Sequence, residues 1–203
     1  MKKSDFDPKH QNQTTESKIV ASLEKISQAF RVLLWQESRE YSLSPIQVQV
    51  LIFLLHHSEE KRKVSYLAAE FNMTKATISD TVKALDQKGL IEKAYEPNDT
   101  RSYVIHLTER GREMAEKTSH FTRELHTPID KLHAEDKENL LLSLLNIIRH
   151  LNRAGVITVP RMCMTCTYYR SSENGQKHFC KLLNQHLQVT DLRIDCPEHK
   201  LKV

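Results

Sequence analysis

Four cysteines lie in the last fifth of the chain, and their type and spacing point to metal chemistry more directly than any other residues. They are Cys163, Cys166, Cys180 and Cys196, and the preceding part of the chain contains no others. Thiolates are soft ligands for zinc and for iron–sulfur clusters, and a C-x2-C pair lets two of them bind one ion. The pattern C-x2-C-x13-C-x15-C therefore predicts a metal or cluster site, with the nearby His199 as a candidate extra ligand.

Three interpretations fit this spacing. Zinc is the common occupant of four clustered cysteines, and here it would be held by all four thiolates, or by three of them with His199 or His178. A [4Fe–4S] cluster sensing oxygen, redox state or iron supply is the second, because the segments around the cysteines resemble small high-potential-iron-protein-like domains with an aromatic and apolar wrap. The third is a metal-free thiol switch in which Cys163 and Cys166 form a disulfide.

The rest of the chain must position this site, and its composition favours a mainly helical protein. Of 203 residues, 39% are hydrophobic, 28% are charged and only 4 are glycine, and the net charge is +4. This mildly basic balance is compatible with nucleic acid. The chain lacks the run of about 18 apolar residues that a membrane span requires, and its polar start shows no secretory signal. We therefore expect a cytoplasmic protein without membrane contact, whose thiols stay reduced.

Hydrophobic periodicity predicts the element order. A helix over 17–38 is followed by a buried helix that opens at Ser44-Pro45, then by helices over 64–71 and 75–88 separated by a three-residue break. Gly89 is expected to end the second of these in a left-handed conformation. Strands over 90–94 and 101–107 and long helices over 109–126 and 134–153 follow. We expect three parts: a flexible N-terminal arm (1–15), a main domain that contains these helices and strands (16–155) and a cysteine-rich module (156–203).

The order helix, break, helix, glycine, strand, turn, strand is typical of a winged helix-turn-helix. Short polar side chains on the first turns of its second helix suit the major groove of DNA, and the helix N-terminus attracts phosphate. The hairpin places Arg101 where it can enter the minor groove or hold phosphate. The predicted DNA-contacting residues are Lys75, Thr77, Ser79, Asp80, Lys83 and Arg101.

Residues 17–153 resemble regulators of the MarR type (multiple antibiotic resistance regulator). The resemblance rests on the segments Leu43-Ser-Pro-Ile-Gln47, Leu67-Ala68-x-Glu70-Phe71-Asn72, Thr77-Ile78-Ser79-Asp80-x-Val82-Lys83, Lys88-Gly89-Leu90-Ile91 and Asn98-Asp99-x-Arg101 with Leu107-Thr108-x-x-Gly111. It implies a homodimer, joined through helices 17–38 and 109–153, that binds double-stranded DNA at a pseudo-palindromic operator. It further implies repression, relief by a small-molecule effector or by oxidation, and an Asp99 that orients Arg101.

The cysteine module lies outside the usual MarR pattern, and it leaves a rival interpretation open. In that interpretation the chain is a redox or electron-transfer protein, and its helical part is a dimer and docking scaffold. An enzyme is not expected, because the sequence has no Gly-rich phosphate loop, nucleophile elbow or acid/base pair in an apolar setting.

Overall fold

The computed structural model describes residues 4–96, 99–171 and 178–202, with the side chains of residues 96 and 99–101 left out. A short helix, α1 (Pro8–Gln11), precedes the long helix α2 (Thr15–Glu40), which Thr14 caps by accepting from the Ser17 amide. The Ser17 hydroxyl donates back to Asp5 Oδ1 at 2.7 Å. The segment predicted as a flexible arm therefore contains a helical turn and is hydrogen-bonded to α2 through Asp5 and Thr14.

Helix α3 (Pro45–His56) forms the centre of the main core. Ser44 and Gln47 make a capping box, in which each side chain accepts from the other residue's amide. Such a box fixes the first turn of a helix and contributes about 1 kcal/mol. The interior of α3 is almost wholly apolar, as predicted, and its buried apolar residues are Val48, Val50, Leu51, Phe53 and Leu54.

The helix-turn-helix follows a 3-10 turn (Glu59–Lys61) and consists of α4 (Val64–Glu70) and α5 (Lys75–Gln87). Fully buried Leu67 of α4 belongs to the same core as Ile78 and Val82 of α5. The bend between them puts Asn72 at φ +51°, and Gly89 ends the motif at φ +66°. The left-handed glycine expected after α5 is thus confirmed.

Two antiparallel strands, β1 (Ile91–Glu96) and β2 (Asp99–Leu107), form the wing. Their register pairs Ile91 with Leu107 and Tyr95 with Tyr103, and it shifts between Tyr95 and Glu96. Ile91 and Ile105 are buried in the main core. The observed fold, mainly helical with a small antiparallel sheet, agrees with the predicted winged helix.

The helix predicted over 109–126 is instead two helices, α6 (Glu109–Thr118) and α7 (Arg123–Asp130). The hydroxyls of Thr118 and Ser119 donate to the carbonyls of Met114 and Glu116, and such back-bonding competes with the helical ladder. Pro128 was expected to follow the helix but lies inside α7. The structure describes all of the α7 side chains, and none of them is buried. Because Pro128 has no N–H, one backbone carbonyl lacks its helical donor, and water can hydrogen-bond to it instead.

Helix α8 (Ala134–Arg153) has the predicted extent, and the C-terminal segment folds back onto it. That segment contains a three-stranded sheet, β3 (Tyr169–Ser171), β4 (His178–Cys180) and β5 (Gln185–Leu187), which the sequence analysis did not anticipate. It also has 3-10 turns at Cys163–Thr165 and Val189–Asp191. A second apolar core joins Leu145 of α8 to Met162, Met164, Leu187 and Leu192.

Candidate functional site

The outer face of α5 carries the five residues predicted there to contact DNA. Ile78, Thr81, Val82 and Leu85 are buried on the inner face. Lys75, Thr77, Ser79, Asp80 and Lys83 are exposed on the other side. The Thr77 hydroxyl lies 2.9 Å from that of Thr74, the residue that caps the helix. The Thr77 side chain therefore contacts the cap residue, and it remains exposed like the other four.

A basic pocket of about 300 Å³ lies between the helix-turn-helix and the wing. Lys75 and Ser79 of α5 form one wall, Lys63 and Ser65 at the start of α4 a second, and Ser102 of β2 a third. Lysine and serine side chains around one concave surface suit a phosphate oxygen. Sequence reasoning missed Lys63, Ser65 and Ser102, although Lys63 directly precedes the predicted helix over 64–71.

Lys93 of the wing is paired with Asp86 of α5. Its Nζ lies 2.7 Å from Asp86 Oδ2, and this hydrogen bond raises the pKa of Lys93. The ammonium also lies 5.6 Å from the centre of the Tyr103 ring. The other predicted wing residues, Asp99 and Arg101, have side chains outside the described part of the chain, so their roles stay predictions.

The four cysteines line one small cavity. Cys163, Cys166, Cys180 and Cys196 surround a space of about 30 Å³. Its other walls include Tyr168, Tyr169, Leu182 and Leu187. A second, open pocket of about 360 Å³ shares three of the thiols, those of Cys163, Cys180 and Cys196. All four are free thiols.

Two donors of Arg193 point at the thiols. The Arg193 amide donates to Cys163 Sγ at 3.2 Å, and its guanidinium lies 3.7 Å from Cys196 Sγ. Burial raises the pKa of Cys163, the Arg193 amide opposes that rise, and the other three thiols add to it. Donors of this kind stabilise thiolate charge and are common around thiolate-bound metals and clusters.

The two candidate histidine ligands have other partners. His199 Nε2 lies 3.1 Å from Thr165 Oγ1, and burial lowers the pKa of His199. His178 Nδ1 lies 2.6 Å from the Tyr169 hydroxyl. Neither histidine is among the residues lining the two cavities. Across the described residues, no group of three or more His, Cys, Asp or Glu is arranged so that it could hold a metal ion.

A buried arginine fastens the cysteine segment to the helix-turn-helix. The Arg161 guanidinium donates to both carboxylate oxygens of Glu70, the last residue of α4, and to both oxygens of Asp195, which precedes Cys196. It also donates to the Tyr66 hydroxyl at 3.2 Å and lies 5.5 Å from the Phe53 ring centre. We call the group Arg161, Glu70 and Asp195 the Arg161 clasp.

The charges of the clasp are strongly coupled. Burial opposes the charge on Arg161, but the hydrogen bonds that Arg161 donates to Asp195, Glu70 and Tyr66 outweigh burial and raise the pKa of the arginine. Burial likewise opposes ionisation of Asp195, yet the bonds from Arg161 and His57 lower the Asp195 pKa to about 2. His57, which caps the end of α3, reaches Asp195 Oδ2 at 2.9 Å. The clasp therefore joins α3, α4 and both ends of the cysteine segment, and sequence reasoning did not identify it.

Comparison with known proteins supports the fold. Residues 41–102 match the family model described as "MarR family", a match that ends before the first cysteine. The HTH-type transcriptional regulator BilQ of Clostridioides difficile is 26% identical over 106 residues, covering 51% of this chain and 72% of BilQ. The transcriptional regulator AdcR of Streptococcus pneumoniae is 29% identical over 86 residues, covering 42% of this chain and 57% of AdcR. These relatives are transcriptional regulators rather than enzymes.

Solved structures agree with the fold. The MepR–DNA complex of Staphylococcus aureus has a TM-score of 0.57 at 24% identity and covers 65% of this chain and 97% of MepR. MepR in its DNA-binding conformation gives the same TM-score at 22% identity, with 66% and 98% covered. The fold is that of a winged helix, and residues 41–102 are similar to the MarR family, whose matched relatives are transcriptional regulators. Among the described helices, none has the length and apolar character to cross a membrane.

Proposed function

We propose that the chain is a homodimeric repressor that binds a pseudo-palindromic operator. Lys75, Ser79, Asp80 and Lys83 of α5 read the major groove, and the 300 Å³ pocket between α5 and the wing receives a backbone phosphate. The observation that carries this proposal is the exposed polar face of α5 beside a pocket bearing two lysines. Arg101 is assigned to the minor groove, oriented by Asp99, and Thr77 supports the N-terminus of α5.

The proposed dimer contact lies on the long helices. Helix α2 leaves large apolar side chains in solvent, including Ile19, Ile26, Phe30 and Trp35, each more than 40% exposed. Leu140 and Ile147 of α8 are also exposed. Apolar side chains repeated along one helix commonly mark a protein interface, and association of two copies through α2 and α8 would bury them. A small-molecule effector at this interface, and a cytoplasmic location, remain part of the proposal.

DNA binding is tested by charge removal on α5 and on the wing. Lys83→Ala and Arg101→Ala should each weaken binding to a duplex selected from a random library by about tenfold, and each should lower the salt slope by about 1. Lys117→Ala removes the same charge from an exposed site on α6 and serves as the matched control. Sedimentation should show a dimer for all three variants. Unchanged affinity for both Lys83→Ala and Arg101→Ala would disprove the proposed DNA face.

We further propose that the four-cysteine cavity holds zinc or a [4Fe–4S] cluster, with the thiols moving closer around it than in the described arrangement, where no group of three is placed to hold a metal ion. Support comes from the four thiols around one small space, the aromatic and apolar walls, and the Arg193 donors. Each of the four cysteines would supply one thiolate, and the metal would add folding energy to a module that is small for an independent core.

Anaerobic purification followed by metal analysis and a visible spectrum separates the candidates. A brown protein with broad thiolate-to-iron absorption and about four irons per chain identifies the cluster. A colourless protein with one zinc per chain identifies zinc. A metal-free protein whose Cys163 and Cys166 form a disulfide on mild oxidation would identify the thiol switch instead.

A further inference from the structure

Arg161 makes the charged contact between the cysteine segment and the helix-turn-helix, and its hydrogen-bonding capacity is fully used. Arg161 is 9% exposed, and all three of its guanidinium nitrogens donate to described partners. Glu70 is 18% exposed at its side chain, so this ion pair is largely shielded from water. A shielded bidentate pair is directional and is costly to break by removing one partner. Arg161 therefore specifies where the cysteine segment sits on α4.

Two residues of the clasp lie near the cysteines in the sequence. Arg161 lies two residues before Cys163, and Asp195 lies one residue before Cys196. The Cys196 amide donates to the Arg161 carbonyl at 2.9 Å, and the Cys163 amide donates to the Arg193 carbonyl at 2.9 Å. An occupant bound by Cys163 and Cys196 would hold together the two segments that contain these cysteines. It would thereby keep Asp195 on Arg161.

The other end of the clasp is the DNA-reading unit. Glu70 ends α4, and Leu67 of α4 belongs to the core that positions Ile78 and Val82 of α5. A second bond supports the same end of α4, because the Thr158 hydroxyl donates to the Ala69 carbonyl at 2.7 Å. A change in the hold on Glu70 would therefore be transmitted to the orientation of α5.

We propose that occupancy of the four-cysteine cavity regulates DNA binding through the Arg161 clasp. With the cavity occupied, Cys163 and Cys196 share a ligand, Asp195 and Glu70 both hold Arg161, and α4 presents α5 to DNA in one orientation. When the cavity is emptied, the segment around Cys196 is released and Asp195 leaves Arg161. Helices α4 and α5 then sample several orientations. This inference rests on the proposed function, since it requires both an occupant and an operator.

The expected coupling is about tenfold, within the usual range for allosteric pairs of sites. The occupied protein binds DNA more tightly, because the ordering of α4 has already occurred before DNA arrives. Linkage makes the effect reciprocal, so operator DNA should slow the loss of the occupant to a chelator. A protein in which the two sites were independent would show neither effect.

The test measures DNA affinity of the full-length protein with the cavity occupied and empty. Occupied samples are prepared anaerobically with iron and sulfide, or separately with Zn²⁺. Empty samples are prepared with a chelator and a reducing thiol. The variant is Glu70→Gln, which keeps the size of the side chain but removes its charge from Arg161. The matched control is Glu113→Gln, the same change on an exposed residue of α6. The probe is a duplex selected from a random library.

The proposal expects occupied wild type and Glu113→Gln to bind about ten times more tightly than their empty forms. Glu70→Gln should retain its metal and its binding to DNA, but the ratio of its DNA affinity in the occupied form to that in the empty form should fall to about one. A Glu70→Gln ratio equal to that of wild type overturns the clasp as the route of coupling. A wild-type ratio of one overturns the regulation while leaving the DNA-binding and metal proposals standing on their own measurements. A protein that takes up neither metal overturns both the cavity assignment and this inference.

Discussion

Replacing Gly111 by alanine should destabilise the protein, although local helix propensity predicts the opposite. Gly111 lies in the first turn of α6, where its amide donates to the capping Thr108 hydroxyl. A Cβ at this position would lie 1.8 Å from the carbonyl oxygen of Leu90. That same oxygen accepts the Thr108 amide, and the Thr108 hydroxyl donates to the Gly89 carbonyl at 2.8 Å. The glycine therefore permits α6 to pack directly on the chain that enters the wing.

The magnitude follows from two opposing effects. Alanine is favoured over glycine inside a helix by about 1 kcal/mol. Against this, real Cβ contacts essentially never fall under 3.0 Å, so α6 and the Leu90 backbone would have to separate by about 1.2 Å. Forced displacement of packed elements costs about 3 kcal/mol at the upper end of its usual range. We expect a net loss of about 2 kcal/mol in the free energy of unfolding.

Urea denaturation followed by far-UV circular dichroism measures this loss. Gly155→Ala is the control, because Gly155 has φ +73° but none of the described atoms lies within 4 Å of its added Cβ. Gly155→Ala should lower the free energy of unfolding by the backbone strain alone, about 1 kcal/mol. A Gly111→Ala protein as stable as wild type, or more stable, would refute the packing argument. Equal losses at both positions would show that the Leu90 contact has no special role.

Three further changes test the caps, the second core and the metal site. Ser44→Ala removes the capping box of α3 and should lower the free energy of unfolding by about 1 kcal/mol, measured by the same denaturation experiment; no change would show that the box is replaced by water. Leu145→Ala opens a cavity where α8 meets Met162 and should expose residues 156–203 to limited proteolysis, whereas Leu140→Ala, at an exposed site on the same helix, should not. Cys180→Ser should reduce bound zinc or iron per chain, measured by metal analysis, and an unchanged content would remove Cys180 from the proposed ligand set.

Most of the winged helix could be predicted from the sequence because its signals are local. The Ser44-Pro45 start, the cap at Thr74 and the terminator at Gly89 each depend on residues within one turn of chain. The apolar period of α5 correctly separated its buried face from its exposed one. The break after α6 was missed, because Thr118 and Ser119 can continue a helix or bond back to its carbonyls, and a linear pattern does not distinguish these outcomes.

The grouping of the four cysteines could be predicted from the sequence, their placement in the fold could not, and their metal chemistry stays a prediction. Cysteine type and spacing indicated one shared site, and the four thiols do line one cavity. Strands of three residues are too short to produce a period, so β3, β4 and β5 were not expected. The contact between Arg161 and Glu70 joins residues 91 positions apart, and Arg161 carries no local signal that identifies its partner. Long-range ion pairs of this kind emerge only once the elements are packed.

The two attachments of the cysteine module have different physical character, and this difference can be measured. One attachment is through the chain itself, because the module directly follows α8. The structure adds a second attachment, in which Arg161 holds the module on α4. The apolar contact of Leu145 with Met162 is non-directional and should supply most of the binding energy, whereas the charged contact with Glu70 is directional and should supply orientation. Leu145→Ala should therefore release the module and abolish metal-dependent DNA binding together with protease resistance. Glu70→Gln should abolish the dependence alone and leave the module docked, so a Glu70→Gln protein with a freely cleaved C-terminal segment would contradict this division of roles.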